Sequence, residues 1–125
     1  MKQGIVLFGH GSRNAEWALP FEAIRQEIRR QQPDTSVELA FLELMQPDLP
    51  EAVNILADRG IARVSVIPVF ISAGSHVRED LPKLIAEALA AHPGMEIEVA
   101  APLGEAPEML KAMAAYALTA FSAGR

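Results

Sequence analysis

The chain has 125 residues, of which 50% are hydrophobic and 22% are charged, a composition typical of one globular domain. Its net charge of -5 argues against a general nucleic-acid-binding protein, because such proteins need a basic surface. The absence of cysteine excludes disulfides, a thiolate nucleophile and a cysteine-ligated iron–sulfur cluster.

The first apolar run, residues 5–8, is too short for a signal peptide or a membrane span. A membrane-spanning helix needs about 20 apolar residues. We therefore expect a cytoplasmic protein with no membrane contact. No linker-like stretch or internal repeat divides the sequence, so residues 1–125 are predicted to form a single domain.

The first elements alternate between strand and helix patterns. Residues 4–8 form an unbroken apolar run with β-branched members, as in a buried strand. A helix is predicted from about residue 17 to residue 32, because its apolar residues recur on one face. Pro20 falls in or near the first turn of this helix, where a missing N–H is tolerated. Residues 36–42 form the second predicted strand.

The boundaries of the second helix carry local signals. Asp48 and Glu51 have the spacing of a capping box, in which each side chain accepts a hydrogen bond from the other's backbone. Gly60 suits the left-handed position that follows a helix. The third strand is predicted over residues 63–70, with Pro68 near its end because proline cannot donate to a sheet ladder.

The last elements are a helix, a strand and a helix. Asp80 is predicted to cap a third helix over residues 81–91, with Pro82 in its first turn. Residues 95–99 alternate between apolar and acidic residues, as in a half-exposed edge strand. The final helix, about 106–122, is apolar over most of its circumference, which suggests contact with another subunit.

Four repeats of strand followed by helix predict a parallel sheet with helices on both faces, a three-layer α/β/α domain. Right-handed crossovers leave few topologies, and the order 2-1-3-4, half of a flavodoxin-like sheet, is favoured. Ligands bind such sheets beyond the carboxyl ends of the strands at the switch point, here between strands 1 and 3.

Three residues that could bind a metal follow the first three predicted strands. His10 comes directly after strand 1 within the glycine-flanked segment 9–13, Glu43 follows strand 2, and His76 follows strand 3. Neighbouring parallel strands lie about 4.8 Å apart, so the two imidazoles are predicted to converge on one ion, with Glu43 beside them. Neutral imidazole suits borderline divalent metals, and few protein ligands leave positions open for a substrate.

Structural alternatives remain open at each of these positions. Either histidine could form only loop hydrogen bonds, and Glu43 could be a carboxylate at a helix start. Five further residues near the same edge could present donors to an anionic ligand. They could equally serve only as helix caps and flanking residues. The five are Ser12, Arg13, Ser72, Ser75 and Arg78.

Several segments together carry a family resemblance: residues 7–13, residues 41–43 with Pro47, residues 68–76, residues 80–82 and residues 102–104. With these motifs, the sequence resembles the short-form sirohydrochlorin chelatases, the small cobaltochelatases of anaerobic cobalamin synthesis within the class II chelatases. The resemblance extends over essentially the whole chain. The combined spacing of these motifs is specific, whereas Gly-His-Gly-Ser alone would be weak evidence for the family.

The resemblance implies a lyase that inserts a divalent metal, Co2+ first, into the tetrapyrrole sirohydrochlorin. It implies that His10 and His76 hold the incoming metal and that Glu43 assists as ligand or proton acceptor. It further implies a homodimer, since longer relatives contain two fused lobes of this kind. The metal would be a substrate, and no organic cofactor is expected.

Other functions remain as alternatives. A ferrochelatase or nickelochelatase would use the same residues for Fe2+ or Ni2+, because metal choice depends on geometry and supply. A non-catalytic module could carry a metal or a tetrapyrrole. A phosphoryl-transfer enzyme could use His10 as nucleophile with Arg13 as phosphate clamp, although the segment matches neither a P-loop nor a dinucleotide fingerprint.

Overall fold

The computed structural model describes residues 3–124, in which four strands alternate with four α-helices. The elements are β1 (Gln3–Gly9), α1 (Leu19–Gln31), β2 (Ser36–Phe41), α2 (Leu49–Asp58), β3 (Arg63–Pro68), α3 (Ser75–Ala91), β4 (Glu96–Val99) and α4 (Pro107–Ala123). Two short 3-10 helices, Ala15–Ala18 and Leu103–Glu105, precede α1 and α4. The two ends of the predicted domain, 1–125, lie outside the described residues.

The four strands form one parallel sheet in the order β2-β1-β3-β4, which confirms the predicted topology. β1 occupies a central position, with Leu7 opposite Leu39 on one side and Ile67 on the other. β3 ends at Pro68, as the missing N–H predicts. The carboxyl ends of β1 and β3 are therefore neighbours at one edge of the sheet.

Alternating side chains of the sheet bury two separate apolar clusters. Val6, Phe8 and Val66 point to the face covered by α2 and α3. Leu7 and Leu39 point to the opposite face and pack with residues of α1. Burial on both sides of β1 explains why its sequence is an unbroken apolar run rather than an alternating one.

The start and end of α2 follow the signals in the sequence. The Asp48 carboxylate accepts a hydrogen bond from Glu51 N at 2.9 Å, and the Glu51 carboxylate accepts one from Asp48 N at 2.9 Å. This reciprocal pair is the predicted capping box. Beyond the helix, Gly60 has a φ of 80°, the left-handed conformation that glycine adopts without strain.

The predicted start of α3 is wrong. The helix begins at Ser75 with Gly74 as its N-cap, so Asp80 and Pro82 lie inside it. Proline inside a helix costs roughly 3 kcal/mol. The earlier start, however, buries Val77 and packs Leu81 against the core, and each buried aliphatic side chain contributes about 1.5–3 kcal/mol. Tertiary packing thus outweighs the local penalty of the proline.

The last two elements form as the sequence predicts. β4 is an edge strand, and its Ile97 packs toward α3 while Glu96 and Glu98 are exposed. α4 begins and ends within a residue or so of its predicted bounds. None of the helices over residues 3–124 has the length and apolar character needed to cross a bilayer.

Candidate active site

His10 is positioned by an aromatic cluster beneath the end of β1. A Cβ atom on Gly9 would lie 2.4 Å from Cζ of Phe21 and 3.1 Å from the indole of Trp17. Glycine at this position therefore lets the rings close against the strand. Trp17 and Phe21 also pack against Phe41 at the end of β2, with ring centroids 6.1 and 5.7 Å away. The cluster fixes the ends of both strands, from which the loops that carry the site begin.

His10 and Glu43 lie side by side, as the sequence predicts for the ends of strands 1 and 2. Nε2 of His10 is 3.1 Å from Oε1 of Glu43. The backbones are also joined beyond the sheet, because Leu42 N donates to Gly9 O at 2.9 Å and Glu43 N donates to His10 O at 3.2 Å. Both side chains are about half exposed, so they are accessible to a ligand.

The backbone around this pair is closely packed and requires glycine. Gly11 has a φ of 101°, and a Cβ atom built on it would lie 1.8 Å from the carbonyl oxygen of Glu43. Leu44 also has a positive φ, 68°, which is rare for a residue with a branched side chain. The two loops are thus held together by direct backbone contact next to His10.

His76 pairs with a carboxylate that sequence reasoning did not assign to the site. Nε2 of His76 is 2.7 Å from Oδ2 of Asp80, one helical turn further along α3. The signal was the four-residue spacing, which places two side chains on the same face of a helix. The sequence analysis does not find this pair, because it places Asp80 at the cap of a helix that starts six residues too late.

The structure therefore shows two histidine–carboxylate pairs, His10 with Glu43 after β1 and β2, and His76 with Asp80 after β3. Among residues 3–124, no three His, Cys, Asp or Glu side chains lie close enough together to hold a metal ion. The convergence of His10, Glu43 and His76 on one ion stays a prediction. Each pair offers imidazole and carboxylate groups that can bind a divalent metal or accept a proton.

The five residues predicted to bind an anion lie on the segments that follow β1 and β3. The Ser12 hydroxyl accepts a hydrogen bond from Asn14 N at 3.0 Å, so part of its role is structural. Ser75 is the first residue of α3. Arg13, Ser72 and Arg78 are exposed. Their role in anion binding stays a prediction.

Two large apolar side chains are exposed beside the site. Leu44 follows Glu43 directly and is 56% exposed, and Ile71, on the segment between β3 and α3, is 74% exposed. Exposed apolar residues next to titratable ones are typical of sites that bind a ligand with both apolar and polar parts.

The largest cavity lies elsewhere, between α3 and the β4 edge. It has a volume of about 560 Å3, and none of His10, Glu43 and His76 lines it. We call it the apolar groove, since its walls are mostly apolar, with Arg78 and Glu105 as the charged lining residues. Its apolar walls include Phe70, Val77, Leu81, Ile85, Val99 and Pro102.

Comparison with known proteins gives consistent matches. The chain is 39% identical over 88 residues to a sirohydrochlorin cobaltochelatase from Methanothermobacter thermautotrophicus, an alignment covering 67% of this chain and 58% of that protein. It is 34% identical over 101 residues to a chloroplastic sirohydrochlorin ferrochelatase from Arabidopsis thaliana, covering 81% of this chain and 45% of that protein. The chain thus spans about half the length of these relatives.

A solved structure and a family model agree with these matches. A CbiX protein from Marinobacter aquaeolei VT8 superposes with a TM-score of 0.82 at 30% identity, covering 96% of this chain and 98% of that one. The CbiX family model matches residues 4–119, nearly the whole chain. The chain therefore belongs to the CbiX family.

Proposed function

We propose that the protein is a chelatase that inserts a divalent metal ion into sirohydrochlorin. The observation that carries the proposal is the presence of two accessible histidine–carboxylate pairs, His10 with Glu43 and His76 with Asp80, after adjacent strands of a CbiX fold. Relatives described as sirohydrochlorin cobaltochelatase and sirohydrochlorin ferrochelatase support this substrate.

Metal insertion requires two kinds of chemistry that these pairs can supply. The metal ion must lose water and be held at the macrocycle, and two pyrrole N–H protons must leave as the metal–nitrogen bonds form. In the proposed mechanism His10 and His76 hold the incoming ion. Glu43, next to His10, acts as a further ligand or accepts a pyrrole proton. Holding ion and ring together removes much of the entropic barrier.

Weak, open coordination suits this task better than a closed cage. A metal held by a full tetrahedral set of protein ligands would be trapped rather than transferred. The half-exposed His10 and the more exposed His76 leave room for water and for pyrrole nitrogens around the ion.

The surroundings of the pairs fit a flat ring with anionic side chains. In the proposed complex, Leu44 and Ile71 provide apolar contact for the macrocycle. Arg13 and Arg78, with the hydroxyls of Ser12, Ser72 and Ser75, bind its carboxylates. This cationic contribution is needed because the protein is acidic overall, with a net charge of -5.

We propose Co2+ as the physiological ion, with Fe2+ and Ni2+ as the alternatives. Imidazole and carboxylate ligands accept all three, so the ligand set does not decide between them. We also propose that the protein acts as a homodimer, in which a second copy supplies the second lobe that longer relatives carry in one chain. The alignment with the Arabidopsis thaliana protein, which covers 81% of this chain but 45% of that protein, supports this arrangement.

The proposed activity can be tested by incubating the protein with sirohydrochlorin and Co2+, Fe2+ or Ni2+ in turn. The absorbance change on metal insertion reports the rate, and we expect acceleration over the spontaneous reaction that is greatest with Co2+. Stoichiometric binding of metal or tetrapyrrole without turnover would instead indicate a binding module. No acceleration with any of the three ions would overturn the proposed activity.

Asp80→Asn should lower kcat/KM for the metal ion by about 10–100-fold, the usual effect of removing a partner that orients a metal-binding histidine. In the proposed complex, the Nε2–H group of His76 donates a hydrogen bond to the Asp80 carboxylate 2.7 Å away, which leaves Nδ1 free for the ion. An asparagine amide can either donate or accept, so it no longer fixes this tautomer.

The matched control is Glu79→Gln, which removes one negative charge at the exposed neighbouring position of α3. Nitrogen NMR of His76 reports the tautomer directly, a signature that a purely structural role of Asp80 would not change. Unchanged kinetics and an unchanged tautomer in Asp80→Asn would rule out the positioning role.

A further inference from the structure

α4 is an apolar helix that lacks a buried side in the isolated chain. From Leu110 to Ala123 every residue is exposed, and Tyr116 and Leu118 are 77 and 64% exposed. Within the described residues, its main packing partner is the 3-10 helix Leu103–Glu105 that precedes it. Most of the stability of a helix in a protein comes from packing of its apolar face, so α4 needs a partner surface.

The sequence of α4 also matches a buried environment. Glu108 and Lys111 are its only charged residues, both near its beginning. A helix that exposes apolar residues over most of its length is unusual on a monomeric protein and marks an interaction site.

The α1 face of β3 and β4 is a surface of the same chain that α4 could cover, but it is poorly suited to an apolar helix. Arg63 of β3 lies 3.4 Å from the Glu96 carboxylate and 3.7 Å from the Glu98 carboxylate of β4, and Ser65 lies next along β3. Covering this network would remove charged groups from water, which costs more than the apolar contact gains.

The apolar groove, on the opposite face of the sheet, has the complementary character. Val77, Leu81 and Ile85 of α3 form one wall, and Val99 of β4, 45% exposed, forms part of the other. The groove also includes Pro102 and therefore extends to the segment that leads into α4. Groove and helix thus form one continuous surface, as a self-complementary two-fold interface requires.

We infer that α4 of each protomer packs into the apolar groove of a second copy, and that this reciprocal contact is the dimer interface. The inference rests on the proposed homodimer and assigns the surface that forms it. A single lobe that aligns with about half of a longer relative needs a companion lobe, and a second copy provides one with matching surfaces.

The size of the contact is sufficient for a specific dimer. A 17-residue helix extends over roughly 25 Å, and two reciprocal helix-in-groove contacts bury on the order of 1,000 Å2, the lower limit for a stable interface. Docking either helix alone would bury about half of this area, so two-fold exchange is favoured over one-sided contact.

Light scattering and sedimentation of the full chain test the interface without metal or tetrapyrrole. We expect the unmodified protein to be a dimer. Leu110→Glu in α4 and Val99→Glu in the groove should each give a monomer, because either places a charge in the apolar contact. Both residues are exposed in the single chain, so each variant should keep its far-UV circular dichroism.

The matched control is Ala112→Glu, which adds the same charge to α4 about 200° around the helix from Leu110 and should leave the dimer intact. A monomeric unmodified protein would overturn both the homodimer and the interface. A dimer that persists in both Leu110→Glu and Val99→Glu would overturn the interface alone. Neither result bears on the metal-insertion assay, which tests the activity separately.

Cross-linking identifies which surfaces meet. The chain contains no cysteine, so single cysteines can be introduced without background. Co-expressed Leu118→Cys and Val99→Cys chains, treated with a short bismaleimide, should give a product joining the two kinds of chain. Cross-links only between two Leu118→Cys chains would show that the α4 helices pair with each other, and would overturn docking in the groove.

Discussion

His10→Ala and His76→Ala should each reduce kcat/KM for metal insertion by about 100-fold or more. Each variant removes an imidazole that holds the ion in the proposed mechanism, and losing a ligand should cost at least as much as losing a ligand's hydrogen-bond partner, which typically costs about 10–100-fold. Loss of His10 also leaves Glu43 without its partner 3.1 Å away, and loss of His76 does the same to Asp80. The absorbance assay with sirohydrochlorin measures the effect directly.

These substitutions should cost little stability. The side chains of His10 and His76 are 48 and 59% exposed. Exposed ion pairs contribute only about 0–1 kcal/mol to stability. Urea unfolding of the two variants should therefore give midpoints close to that of the unmodified protein. A large loss of activity with unchanged stability separates a role in the reaction from a role in folding.

The matched control is His92→Ala, the same substitution at the third histidine of the chain. Nε2 of His92 lies 2.6 Å from Oδ1 of Asn54, where α2 and the end of α3 meet, so its contact is structural. We expect full activity with a loss of roughly 1 kcal/mol of stability. A double variant of His10 and His76 that remained fully active would exclude both from the reaction.

Gly11→Ala should lower both stability and activity. The φ of 101° is strained for any residue with a side chain, and the new Cβ would lie 1.8 Å from the carbonyl oxygen of Glu43. That oxygen belongs to backbone, which cannot rotate away as a flexible side chain could. We expect a loss of roughly 3 kcal/mol in the free energy of unfolding, measured by urea titration.

The effect on activity follows from the direction of the displacement. Relief of the clash requires the backbone at Glu43 to move away from the loop of His10, which separates the pair. We therefore expect the folded variant to insert metal at least about 10-fold more slowly, because small misplacements of reacting groups reduce rates strongly. The assay should be run well below the unfolding transition, so that only folded protein is measured.

Gly94→Ala is the control for this substitution. Gly94 has no neighbouring atom within 4 Å of an added Cβ, and its φ is outside the left-handed region. The free energy of unfolding of the Gly94→Ala variant should change by less than about 0.5 kcal/mol, and its activity should not change. Equal behaviour of Gly11→Ala and Gly94→Ala would show that the loop contact with Glu43 has no functional importance.

The sequence alone determined the parts of the molecule that depend on short-range physics. The apolar runs and the helix periodicity predicted all four strands and four helices, and the capping box at Asp48 and Glu51 predicted the start of α2. The handedness of crossovers then led to the strand order, because few arrangements of four parallel strands satisfy it. The position of His10 beside Glu43 followed from that order.

Only the tertiary structure decided features in which distant contacts compete with local preference. Burial of Val77 extends α3 past Pro82, and this extension turns Asp80 from a predicted helix cap into the partner of His76. The apolar groove likewise arises where α3 and β4 meet, from residues of the segment 68–105 that only the folded sheet brings together. Local signals report only the conformational preference of a few neighbouring residues. The length of α3 and the shape of the groove depend instead on which side chains the assembled sheet and helices bury.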